Sequence, residues 1–123
     1  MKKIRLAKDK EGFSSIRIDK DVSVLELKDF CEKINKELNS EGGYLIRTTI
    51  LISGYAVFMN INLIDKTGDD IGTVEFVCLN DTNDKYYELI LTEAFPDNEK
   101  WSEEEWKEEW KRVLNKFIEA MLK

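Results

Sequence analysis

A chain of 123 residues that is 42% hydrophobic and 36% charged has the size and composition of one folded domain, 1–123. It has no histidine, which excludes a Ser-His-Asp triad, a Cys-His dyad and a His-ligated zinc site. Its net charge of −6 gathers in residues 80–109, where three Lys/Arg face eleven Asp/Glu, so it lacks the basic footprint that direct nucleic-acid binding needs.

No apolar run approaches the roughly 18 residues of a membrane span. The start, Met1-Lys-Lys-Ile-Arg-Leu-Ala-Lys-Asp9, breaks into charge too early for a signal peptide. A cytoplasmic protein is therefore expected. The Lys-, Glu-, Ile- and Asn-rich composition points to an AT-rich bacterial or phage source.

Lys3–Ala7 and Phe13–Ile18 predict short strands around the polar turn Lys8-Asp-Lys-Glu-Gly12, forming an N-terminal hairpin. A helix follows. Ser23 is its N-cap, Glu26 completes a capping box, and Val22 with Leu27 forms a hydrophobic staple. Val24, Leu27, Cys31, Ile34 and Leu38 make its apolar stripe. Asn39-Ser-Glu-Gly-Gly43 stops it, because glycine tolerates the left-handed C-cap.

Four strands are predicted next: Tyr44–Ile52, Tyr55–Ile64, Ile71–Leu79 and Tyr86–Glu93. The turn Ser53-Gly54 pairs Ile52 with Tyr55. The loop 65–70 pairs Ile64 with Ile71, and the loop 80–85 pairs Leu79 with Tyr86. All three turns put the apolar parity of each strand on one face: Tyr44, Ile46, Ile50 and Ile52; Val57, Met59, Ile61 and Leu63; Val74, Phe76 and Cys78; Tyr87, Leu89 and Leu91. The opposite face is mixed, with a central row of Arg47, Asn60, Glu75 and Ile90. Leu45, Leu51, Phe58, Ile64, Val77 and Ile90 make it too apolar for a wholly solvated face. The N-terminal hairpin, a second subunit or a partner is expected to cover it.

The last helix carries the clearest signal. Ser102 is its N-cap and Glu105 closes the capping box, with Trp101 and Trp106 as staple. Trp106, Trp110, Val113, Leu114, Phe117, Ile118 and Met121 form one apolar face. The fold class expected is α+β. It is a two-layer sandwich of order ββαββββα, an antiparallel meander sheet with two helices on one face.

Few residues offer chemistry. Cys31 and Cys78 lie on apolar stripes and are expected as buried, reduced thiols. The acidic loops Asp65/Asp69/Asp70 and Asp81/Asp84 lack the EF-hand spacing and read as turns, so no metal or cofactor is expected. Glu103, Glu104 and Glu105 suit a helix N-terminus. With Asp97, Glu99, Glu108 and Glu109 they also make an acidic band, flanked by Tyr86 and Trp101, that fits a protein partner with a basic surface.

The leading reading is a small acidic, non-enzymatic interaction module of the inhibitor, immunity, adaptor or chaperone kind. Its partner-binding residues are Trp101, Glu104, Glu108, Glu109, Asp97 and Tyr86. A homodimer through the open sheet face or an edge strand is expected as well. Two alternatives stand beside it. One is a small-ligand or minimal enzymatic site built on Arg47, Asn60 and Glu75. The other is a self-assembling structural subunit.

Overall fold

The structure, a computed structural model, describes residues 2–9, 12–39, 45–53, 56–78, 84–97 and 100–123, without the side chains of Asp9, Phe13 and Ser14. Six strands and two helices follow in the order ββαββββα. They are β1 (Ile4–Asp9), β2 (Gly12–Asp19), α1 (Val24–Leu38), β3 (Leu45–Ser53), β4 (Ala56–Ile64), β5 (Asp70–Cys78), β6 (Tyr86–Pro96) and α2 (Glu103–Leu122). Tyr44, Gly54-Tyr55, Leu79, Asp81, Glu99 and the glycine stop expected at 42–43 lie outside the described residues.

The strands form one antiparallel sheet ordered β1-β2-β6-β5-β4-β3. The N-terminal hairpin therefore extends the sheet rather than covering its open face. Ile16 pairs with Leu89 and Ile18 with Tyr87, so the apolar parity of β2 continues that of β6. Ile4, Ile16 and Ile18 join the core for that reason. Register shifts interrupt β1–β2, β4–β5 and β5–β6. Bulges sharpen local twist, and the sheet curls into a half-barrel.

The core lies between the helices and the expected face of the sheet. Met59, Ile61, Leu63, Val74, Phe76, Leu89, Val113 and Phe117 are fully buried there. The Phe76 and Phe117 rings meet with centroids 6.1 Å apart. Burying side chains of this size contributes about 1.5–3 kcal/mol each.

Both helix starts follow the sequence reading. The Ser23 hydroxyl accepts from Glu26 N–H at 3.1 Å, and Glu26 accepts from Ser23 N–H at 3.0 Å. Ser102 and Glu105 repeat the box at 3.1 and 3.2 Å. Two indoles then pin the start of α2 to the sheet. Trp101 donates to the Ile71 carbonyl at 3.0 Å and Trp106 to the Ala94 carbonyl at 3.3 Å. Gly72 lets the second indole in, since a Cβ there would overlap the Trp106 ring.

α1 sits on the β3 side, and its asparagines occupy that strand's outer edge. Thr48 N–H donates to Asn35 Oδ1 at 2.7 Å, and Ile46 N–H to Asn39 Oδ1 at 2.8 Å. Asn39 Nδ2 returns a bond to the Ile46 carbonyl at 2.9 Å. The first turn of α1 overhangs the core, leaving Val24 84% exposed although the stripe was expected to begin there. Both cysteines are free thiols; Cys78 is buried, but Cys31 is only half-buried. Burial still pushes the Cys31 thiol up to about 11.

Three pairings differ from expectation. The β3–β4 turn closes on Ser53 and Ala56, so Ile52 faces Val57 and Ile50 faces Met59. Phe76 faces Leu91 rather than Leu89. Ile64 faces Asp70 rather than Ile71, across a bulge. The first two are slips of two residues, which keep every side chain on its face.

Candidate functional site

The open face of the sheet carries the candidate site. The true register lines up Leu51, Phe58, Val77 and Ile90 as one apolar row across β3, β4, β5 and β6. Val77 at the centre is 5% exposed, while Leu51 and Ile90 at the ends are 60% and 54% exposed. Single exposed apolar residues are ordinary; a contiguous row on a rigid sheet is not.

The next row is Thr49, Asn60, Glu75 and Glu93. Glu75 and Glu93 stand directly opposite each other, an arrangement that like charges make unfavourable. Among the described residues neither carries an ion pair. A third row holds Arg47, Asn62, Thr73 and Phe95. The Oδ1 atoms of Asn60 and Asn62 are buried and accept no hydrogen bond. The face thus offers an apolar strip beside two opposed carboxylates.

The expected row of Arg47, Asn60, Glu75 and Ile90 does not exist as such. Asn60 and Glu75 are neighbours, but Arg47 stands opposite Asn62 and Ile90 opposite Val77. The two-residue slips explain both displacements. The Glu75/Phe76 bulge adds a third change: past it β6 reverses parity, bringing Ala94 opposite Val74 and Phe95 onto the open face. The uninterrupted alternation of Tyr87, Leu89 and Leu91 gave no sign of that reversal, although Ala94-Phe95 resumes an apolar beat one residue out of phase.

Towards β2 the face carries ion pairs, although the buried Nε of Arg17 makes no hydrogen bond among the described residues. Arg5 pairs with Asp19 at 2.6 Å and Arg17 with Glu88 at 3.5 Å, while Ser15 Oγ donates to Glu88 at 2.8 Å. The Arg17 and Arg5 guanidinium carbons lie 4.6 and 5.5 Å from the Tyr86 ring centre.

The other residues expected to bind a partner lie on α2 or in the chain just before it. Trp101 is half-buried, its ring 6.0 Å from that of Trp106. Asp97 accepts from Thr73 Oγ1 at 2.9 Å. Glu104 and Glu108 line a shallow groove with Lys107 and Lys111, and Glu109 pairs with Arg112. The acidic band on α2 is thus interleaved with cations, and α2 lies across the sheet from the open face.

Asp65 organises its own turn. Its Oδ1 accepts from Thr67 N–H, Thr67 Oγ1 and Asp69 N–H, and its Oδ2 from Lys100 Nζ at 2.5 Å. Those donors, Lys100 first, hold its carboxyl well below the usual carboxylate range. Among the described residues no group of three or more Cys, Asp or Glu side chains is placed to hold a metal ion, and no helix is long and apolar enough to cross a membrane. No protein-family model, curated protein or solved structure matches the chain.

Proposed function

We propose that this protein is a non-enzymatic interaction module that takes a protein partner with a basic surface on its open sheet face. One observation carries the reading: the row Leu51, Phe58, Val77 and Ile90 runs beside the opposed carboxylates Glu75 and Glu93. An apolar strip gains by leaving water. A lysine or arginine of the partner, set between the two carboxylates, relieves their repulsion. These features favour a partner that is both apolar and cationic. Edge pairing competes poorly at residues 46–48, where Asn35 and Asn39 already occupy the outer groups of β3.

The test begins with a tagged copy and extracts of the cell that makes the protein. The captured partner is identified, purified and titrated against variants whose folding is checked by circular dichroism. A basic partner is expected, with binding that weakens as salt rises. Phe58→Asp should abolish binding, and Glu75→Lys with Glu93→Lys should slow association. Reversal of Glu104, Glu108 and Glu109 on α2 should leave it unchanged. Loss of binding in the α2 variant, with the open-face variants intact, would move the site to the helix. A solution mass twice 14.4 kDa that Phe58→Asp halves would mean that a second copy covers the face.

A further inference from the structure

On the other side of the molecule, α1, the start of β1 and the end of α2 leave a cleft of about 330 Å³ between them. It lies at the lower end of the roughly 300–1,000 Å³ of small-molecule sites. Its lining divides by chemistry. Ile4, Ile34, Ala120 and Met121 are buried and form an apolar floor, with half-buried Val22 and Phe30 as walls. Lys2, Lys3, Lys33 and Glu26 supply the charge.

Lys2, Lys3 and Lys33 meet two carboxylates at the mouth, Glu26 in its lining and Asp21 3.7 Å from Lys3 Nζ, so cations still lead by one on a protein whose net charge is −6. The Glu26 carboxylate is already engaged, accepting from Ser23 N–H at 3.0 Å and from Lys3 Nζ at 3.3 Å. The Lys2 ammonium reaches the last turn of α2, donating to the Lys123 carbonyl at 2.9 Å. Lys33 follows Phe30 by three residues, so one turn of α1 carries both a wall of the cleft and a cation at its rim. The floor offers no polar side chain, which disfavours a sugar or a nucleobase.

We infer that this cleft binds a small amphipathic acid, with its apolar tail on the Ile4–Ile34–Met121 floor and its anionic head among Lys2, Lys3 and Lys33. The site is independent of the open face, and neither reading depends on the other.

Decanoate below its micelle concentration is the probe, followed by calorimetry and by amide shifts in nuclear magnetic resonance. Decanol and decylammonium are the head-group controls. One decanoate should bind per chain, more tightly than either control, with shifts centred on Phe30, Ile34 and Met121. Lys2→Gln with Lys33→Gln should weaken decanoate roughly tenfold, as two part-exposed ion pairs would, and leave decanol unchanged. Ala120→Phe, which fills the floor, should remove both ligands while a normal melting curve confirms the fold. Failure of decanoate to bind would overturn the inference, as would equal affinity for decylammonium or indifference to the lysines. Binding to anionic phospholipid vesicles without binding to monomeric decanoate would also overturn it, marking a membrane-contact surface instead.

Discussion

The two faces of the sheet are made from the same strands but respond differently to a change of register. On the core face, Val57, Met59, Ile61, Val74, Phe76 and Leu89 are buried whichever apolar residue each one opposes. On the open face, a two-residue slip decides whether Ile90 stands beside Glu75 or beside Val77. One face needs only the correct parity. The other needs the correct neighbour, and its rows exist only in the true register.

The largest test of this contrast is deletion of apolar bulk on each side. Phe76→Ala should cost about 3–5 kcal/mol, the usual loss for an aromatic in a packed core. Ile90→Ala, at the exposed end of the open row, should cost less than about 1 kcal/mol. Urea melts of the two variants check the difference. Equal losses would mean that the open face is packed in the isolated protein.

Gly72→Ala adds only a methyl group, yet it should cost about 1–3 kcal/mol, because the new Cβ meets the Trp106 ring. Pairing it with Trp106→Leu should recover part of the loss. A neutral Gly72→Ala would show that α2 has room to shift. Removing either cap is smaller again: Ser23→Ala and Ser102→Ala should each cost about 1 kcal/mol in the same melts.

The smallest effect concerns acid. The folded-state pKa of Asp65 lies below its unfolded value of about 3.9. Its contribution is therefore present above about pH 4 and lost as pH falls further. Asp65→Asn should lower stability at neutral pH and flatten the acid limb of the melting profile below about pH 4. Parallel acid limbs in wild type and variant would mean that the turn does not depend on the charge.

The same contrast explains what could be read in advance. Helix starts were legible because a capping box is a local signal, fully written in Ser23-x-x-Glu26 and Ser102-x-x-Glu105. Strand faces were legible because parity survives a slip of two. The row Leu51–Phe58–Val77–Ile90 was not, since it depends on where each turn closes. Phe95 was missed because a bulge reverses parity without marking the sequence. The lysine-rimmed cleft joins Lys2, Lys33 and Met121, which no local pattern connects. The meander β3-β4-β5-β6 was legible, but the joint between hairpin and meander was missed for a similar reason: β2 finds β6 across more than sixty intervening residues of chain.

The central claim, that the open face is the docking surface, is tested most directly by protecting a single thiol. Native Cys78 is buried, and the Cys31 thiol, pushed up to about 11, should react slowly with maleimide near neutral pH. A cysteine placed by Ile90→Cys should therefore label fast, as should one placed by Glu108→Cys on α2. Adding the captured partner should shield the thiol at position 90 and leave the one at 108 reactive. Shielding at 108 with free labelling at 90 would contradict the account.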